Sequence, residues 1–217
     1  RLQVNVDELF DVFTPTVTHN DPVFIADLRT PISVMSRVGD NVLNMFDGHV
    51  DLYSRDSVAV NSTFNLRNHD LTISADRNVL MAAEPTALRN LDITADLDGI
   101  DGGQITLLTD LNDIANDASF TAPNIFVFGG RGNGNGGGGG SVQVTTGGSQ
   151  VWDGPVRLGS DLTVIANGTS YVGDITFTND INGGHDLVLD AVGVGSLMNV
   201  GNTTALDLMD LRAHLLE

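Results

Sequence analysis

A four-residue phrase recurs through this 217-residue chain and narrows what the chain can become. Asp-Leu-Thr-Ile at 70–73 returns as Asp-Leu-Thr-Val at 161–164, Asp-Ile-Thr-Phe at 174–177 and Asp-Leu-Val-Leu at 186–189. Looser copies are Leu-Asp-Ile-Thr at 91–94, Gln-Ile-Thr-Leu at 104–107, Ile-Phe-Val-Phe at 125–128, Val-Gln-Val-Thr at 142–145 and Leu-Asp-Leu-Met at 206–209. Each is of strand length, and most alternate an apolar residue with a polar one, the period of a half-buried strand. An Asp, Gly or Asn usually stands beside the phrase, and these are the residues that turn a chain.

The spacing of the phrases carries the fold. Their first apolar residues are Leu71, Leu91, Ile105, Ile125, Val142, Leu162, Ile175, Leu187 and Leu206, in steps of 20, 14, 20, 17, 20, 13, 12 and 19. Steps near twenty match one coil of a β-solenoid, and the shorter steps join two faces within a coil. One coil cannot bury its inward side chains alone. A second coil stacked in register closes a hydrogen-bond ladder and buries a column of Leu, Ile, Val and Phe. The expected fold is all-β: a right-handed parallel β-helix with an irregular N-terminal cap, its hand following the crossover preference. Six to nine coils would make a rod about 30–45 Å long. The alternative is an antiparallel β-sandwich with strands every ~8–12 residues. Tight hairpin turns at that spacing are few, which favours the solenoid.

The charges agree with a chain of strands and turns. Of 28 acidic residues only Glu8, Glu84 and Glu217 are Glu, and all ten basic residues are Arg. Helical surfaces favour Glu and Lys, whereas Asp gathers at turns. A net charge of −18 leaves no basic stripe for nucleic acid or an anionic membrane surface. No apolar run approaches the ~20 residues of a membrane span, so membrane insertion is not expected. With no cysteine, thiol catalysis, a zinc knuckle and disulfide staples are excluded. The chain opens on Arg1 with no signal core, which reads as a processed chain or a segment of a longer protein.

Residues 1–57 are less repetitive and read as a cap or irregular first coils, with Asp7 to Phe13 a short helix or edge strand and His49 to Tyr53 a first coil. Residues 58–128 form a first solenoid part and 141–217 a second. Between them, 129–140 contains nine glycines and costs too much backbone entropy to hold regular structure alone, so it reads as a loop. No Gly-Lys-Ser/Thr follows, so it is no phosphate loop.

Candidate sites are few. Asp96, Asp98 and Asp101 flank a glycine turn as part of a calcium loop would, because a hard cation wants several oxygens on a tight bend. Ca²⁺ is thus the one candidate cofactor; no Glu closes an EF-hand, and an Asp/Gly turn is the plainer reading. His69-Asp70 and His185-Asp186 precede equivalent strands, which says turn more than catalytic pair. No nucleophile or metalloprotease motif accompanies them, so no catalytic residue is assigned and no enzyme is expected. One Trp, two Tyr and 6% aromatics are thin for a sugar-stacking cleft. Thr72, Thr94, Thr106, Thr163 and Thr176 are single Thr positions rather than Thr-x-Thr rows of an ice-binding face. Three glycosylation sequons (Asn61, Asn167, Asn202) arise by chance in so Asn/Thr-rich a chain.

The stretch from Gly148 through Trp152-Asp153-Gly154-Pro155-Val156-Arg157-Leu158-Gly159 to Asp161-Leu162-Thr163-Val164 resembles the repeat of filamentous-haemagglutinin-like bacterial surface proteins. So does Gly173-Asp174-Ile175-Thr176-Phe177 followed by Ile181 to Leu189, with Thr204 to Leu208 as a final strand. The match is good over about 60 residues and looser over 60–128. It implies a right-handed parallel β-helix from a large exported adhesin or fibre. The secretion-domain Asn-Pro-Asn-Gly motif is missing, so the resemblance is to the stalk, and that repeat brings no catalytic residues.

The expected role is mechanical: a β-solenoid spacer or self-assembling filament unit, extracellular or on the bacterial cell surface. Solenoid ends expose unpaired N–H and C=O groups. Leu2, Val4 and Val6 at one end and Leu206 and Leu208 at the other are the candidates for end-to-end contacts. The rivals are a carbohydrate- or cell-binding adhesin module, with surface glycans as partners, and a polysaccharide lyase or hydrolase on the same scaffold.

Overall fold

A computed structural model describes residues 49–61, 63, 65–100, 102–129, 140–169 and 172–216, with the backbone of three strands nearer the N-terminus. Those three are β1 (Leu2–Asn5), β2 (Val23–Leu28) and β3 (Ile32–Ser36). Then come β4 (Val50–Ser54), β5 (Val58–Val60), β6 (Asn65–Ala75), β7 (Val79–Met81), β8 (Thr86–Ala95) and β9 (Gln104–Leu107). The middle holds β10 (Leu111–Ile114), β11 (Ala118–Thr121), β12 (Asn124–Val127), β13 (Val142–Thr146), β14 (Gln150–Asp153) and β15 (Val156–Leu158). The last are β16 (Leu162–Ala166), β17 (Ile175–Asn182), β18 (Leu187–Val200) and β19 (Met209–Leu216). No helix occurs among the described residues. The stretch Asp7–Phe13, Val6, Asp101 and residues 130–139 of the glycine-rich segment lie outside them.

From β2 onward each strand pairs in parallel with the strand one coil away, and the chain forms a β-solenoid of about seven coils. The antiparallel sandwich is thereby set aside. Among the described residues the one antiparallel pairing is β1 on β3, with Val4 opposite Val34. Three faces run along the stack. Face A is built from the first parts of β6 and β8, then β10, β13, β16, the first part of β18, and β19. Face B takes β2, β4, the second parts of β6 and β8, β11, β14, the start of β17 and the middle of β18. Face C takes β3, β5, β7, β9, β12, β15, the end of β17 and the last residues of β18.

The register explains the uneven spacing of the repeats. Leu71 pairs with Leu91, Ile105 with Ile125 and Val142 with Leu162, so each step of twenty is one coil on one face. The shorter steps move to another face. Insertions sit at corners: 96–103 between faces B and C, the glycine-rich segment between C and A, and 167–174 between A and B. That segment does not break the stack, because β10 pairs with β13, β11 with β14 and β12 with β15 across it. One expectation fails. The final strand begins at Met209, which lies opposite Leu187, and not at Thr204. Residues 201–208 instead turn the corner, starting at Gly201 with φ +68°.

Alternation along each strand sends one set of side chains inward. On face B, Leu52, Ile73, Ile93, Phe120, Trp152, Phe177 and Leu197 form one column in register. Its centre is a stack of aromatic rings. Phe120 and Trp152 have centroids 4.5 Å apart, and Trp152 and Phe177 5.2 Å with planes 17° apart. Gln150, also interior, donates from Nε2 to the carbonyls of Val144 and Ile165 and to the Thr146 hydroxyl. At the next corner Gly154 has φ +150°, and a Cβ there would sit 1.9 Å from the Ala122 carbonyl oxygen, so only glycine fits.

The corners account for the excess of Asp. Between faces A and B a ladder of side chains runs up the stack, each receiving the backbone N–H of the coil above. Asn90 Oδ1 accepts from Asp117 N–H (3.2 Å), Asp117 Oδ1 from Ser149 N–H (2.7 Å), Ser149 Oγ from Asp174 N–H (3.1 Å) and Asp174 Oδ1 from Val194 N–H (2.7 Å). Asp110 and Asp161 do the same for Gln143 and Asp186 between faces C and A. A short acceptor reaches the next coil about 4.8 Å away, and a carboxylate makes the stronger bond. Asp is thus the residue that joins one coil to the next where the sheet ladder breaks at a turn.

Candidate functional site

The loop carrying Asp96 and Asp98 joins β8 to β9 on the outside of the B–C corner. Asp96 adopts φ +63°, and its Oδ1 accepts the Gly102 N–H at 3.1 Å. Asp98 Oδ1 accepts the Ile100 N–H, also at 3.1 Å. Both carboxylates therefore fold their own loop, the short-range role that makes Asp a turn residue. Gly103 beneath them packs on the Arg77 carbonyl, leaving no room for a Cβ. Leu97 and Ile100 on the same loop point to solvent. The structure brings Asp96 and Asp98 into one loop, Asp101 lies outside the described residues, and no group of three metal-type ligands occurs among the described residues.

The densest polar cluster lies at the A–B corner of the early coils. Asp70, on β6, takes Arg89 Nε on Oδ1 at 2.7 Å and a second guanidinium nitrogen on Oδ2. Asn90 Nδ2 adds a bond to Oδ1 at 2.8 Å. His49 Nδ1 lies 2.9 Å from Asp70 Oδ2 and 3.2 Å from the Asp70 backbone N–H. When protonated it donates to the carboxylate; when neutral on that nitrogen it accepts from the N–H. The Arg89 hydrogen bonds, reinforced by Asn90, hold the Asp70 carboxyl below the usual carboxylate range against the opposing effect of burial. His69 meets His49 edge to face, with centroids 5.5 Å apart.

Each His-Asp dipeptide of the sequence thus lends one residue to a contact between coils. His49 reaches Asp70 in the next coil, and His185 Nδ1 lies 3.6 Å from Asp161 in the previous one. Sequence reasoning saw the recurrence of His-Asp but missed Arg89, whose partner is 19 positions away and visible only once the coil length is known. The cluster clamps three successive coils.

The two ends of the stack differ. At the N-terminal end the backbone of Leu2 and Val4 is engaged by β3 of the same chain, and Val6 lies outside the described residues. At the other end Leu206 packs half-buried on the interior, with Leu197, Val200, Leu211 and Ala213. Leu208, Met209 and Leu215 are exposed, at 55%, 43% and 49% of their surfaces. Met209 continues the inward column of Leu187, Leu162 and Val142, which are sealed at 0% in the coils below, whereas Leu208 stands at the corner and Leu215 lies opposite the outward Val194. The interior of the last coil is therefore open at Met209.

The Thr residues do not gather. Thr72 and Thr176 face out from face B, in a column interrupted by Asp92 and Val151. Thr106 belongs to face C and Thr163 to face A. Compared with known proteins, the chain matches no family model, no curated protein and no solved structure. What the structure shares with the expected stalk repeats is the β-solenoid of about seven coils.

Proposed function

We propose that this chain is a structural segment of an exported bacterial surface or fibre protein, a β-solenoid spacer whose work is mechanical. The observation that carries the reading is the interior column, continuous from Leu52 to Leu197 and uncovered at its C-terminal end. A parallel stack transmits load through backbone hydrogen bonds along its whole length, and its end is a template for one more coil. In this reading Leu206, Leu208, Met209 and Leu211 meet the next coil-bearing unit, and the strongly acidic surface keeps the rods from collapsing sideways. Export, the surface location and end-to-end joining belong to this proposal.

Two measurements test it. Sedimentation over a wide concentration range, with electron microscopy of the concentrated sample, should show species that lengthen by end-on addition. Met209→Asp together with Leu211→Asp, both in inward columns of the last coil, should hold the chain as single rods. A monomer at every concentration, with no elongated particles, would remove the assembly. Cleavage of acidic polysaccharides by the purified chain would replace the mechanical role with a catalytic one.

A further inference from the structure

Face C differs from the rest of the surface in two independent ways. Its fully described strands β5, β7, β9, β12 and β15 hold no acidic residue, in a chain that has 28. Faces A and B both carry outward Asp, such as Asp190 and Asp210, or Asp92 and Asp153. The second difference is aromatic. Phe126 and Phe128 point outward from β12 and the residue after it, their ring planes 6° from parallel and their centroids 5.9 Å apart. Phe128 is 43% exposed. Its ring leans over the next coil into the space of a missing side chain: a Cβ on Gly159 would lie 2.3 Å from the Phe128 ring.

The neighbours in register complete a surface. Leu80, Thr106, Phe126 and Arg157 form one outward column on four successive coils. Gln104 lies opposite Asn124 beside it, and Gln104 Nε2 donates to the Thr106 hydroxyl at 3.2 Å. The face thus offers a stacked pair of rings edged by amides, a hydroxyl and one guanidinium.

We propose that face C, centred on Phe126 and Phe128, binds an uncharged polysaccharide. The reading is independent of the spacer role. The C–H groups of a pyranose ring present a weakly positive flat face that complements the negative face of an aromatic ring. The amides of Gln104 and Asn124, with Arg157, supply directional partners for hydroxyls at the edge. Charge selects the class. A molecule of net charge −18 repels anionic polymers, and a lone Arg157 does not reverse that field, whereas a neutral glycan meets five strands that carry no carboxylate, the first Asp of the face being Asp180 one coil beyond β15. Exposed apolar patches rimmed by polar groups mark interaction sites in general.

The test is affinity electrophoresis of the purified chain through gels containing hydroxyethylcellulose, mixed-linkage β-glucan, mannan or dextran, with alginate as the anionic control and insoluble cellulose and chitin in pull-downs. At least one neutral polymer should retard the chain, and alginate should not. Phe126→Ala with Phe128→Ala should weaken binding at least tenfold, while Asp92→Ala on face B should leave it unchanged. Circular dichroism and Trp152 fluorescence check that the variants keep the fold. Should the double variant fail to fold, the parent chain answers alone: the neutral polymer should shift the ring resonances of Phe126 and Phe128 and leave those of buried Trp152 in place. Failure to bind any neutral polymer overturns the proposal. So does binding that survives the double substitution, a preference for alginate, or ring shifts confined to other residues. A dimer lost on substituting the two Phe, without glycan binding, would show that face C pairs two copies and would equally overturn it.

Discussion

Leu189 and Leu211 are the same residue type in the same interior column of face A, one coil apart and directly opposite in register. Leu189 is 3% exposed, whereas Leu211 is only half-buried. What separates them is a neighbour: Leu189 has a coil on each side, and Leu211 has one. The same contrast holds across the molecule. The middle coils seal Phe120, Trp152 and Phe177, and the last coil leaves Met209, in the column of the sealed Leu187, in contact with solvent. Burial in this fold is therefore a property of stacking rather than of residue type, as expected where each repeat contacts only the repeats beside it.

The contrast is broken most forcefully at the centre. Trp152→Ala should cost about 3–5 kcal/mol, because it empties the middle of the aromatic stack between two fixed rings, and denaturant unfolding would read the loss. Leu189→Ala should cost about 2–4 kcal/mol. The identical change at Leu211 should cost about 1 kcal/mol, as for a site already half in water. Equal losses at the two positions would mean that the last coil is covered in solution. Asp174→Ala, which removes the acceptor for the Val194 N–H, should cost about 1–2 kcal/mol and loosen the A–B corner without touching the interior. Amide hydrogen exchange should then quicken in β18.

The smallest effect concerns acid. The Asp70 carboxyl is held low first by its hydrogen bonds to Arg89, so its contribution is present above the unfolded pKa of about 3.9 and fades as pH falls through the lower folded value. Asp70→Asn should lower the melting temperature modestly at neutral pH and make it fall less between pH 5 and pH 3 than in the parent chain. A parallel fall in both would remove Asp70 from the acid response.

Much of this architecture is legible in the residues. The twenty-residue steps from Leu71 to Leu91 and from Val142 to Leu162 are coil lengths, and the Asp that opens each repeated phrase stands at a corner. Its partner was hidden. Asp174 bonds the N–H of Val194, and Asp161 that of Asp186, through distances set by stacking rather than by sequence. Alternation gives the face of a side chain only when the phase of the strand is known. Phe120 and Phe177 turn inward while Phe126 turns outward, although all are Phe in apolar strands. The candidate end contacts divide in the same way. Leu206 and Leu208 lie at an uncovered end, whereas the backbone of Leu2 and Val4 is already paired with β3. Asp96 and Asp98 show the limit of composition, since two carboxylates beside a glycine turn suit a cation and equally suit the backbone N–H groups they accept here.

The central claim is that successive coils lie parallel and in register, and the absence of native cysteine makes it directly testable with paired spin labels. Thr163→Cys with Val188→Cys places labels on adjacent outward positions of face A, about 5 Å apart between backbones. Thr72→Cys with Thr163→Cys places them on different faces several coils apart. Strong dipolar broadening in the first pair and none in the second is the predicted result. An unbroadened spectrum from the Thr163 and Val188 pair would contradict the stacked solenoid.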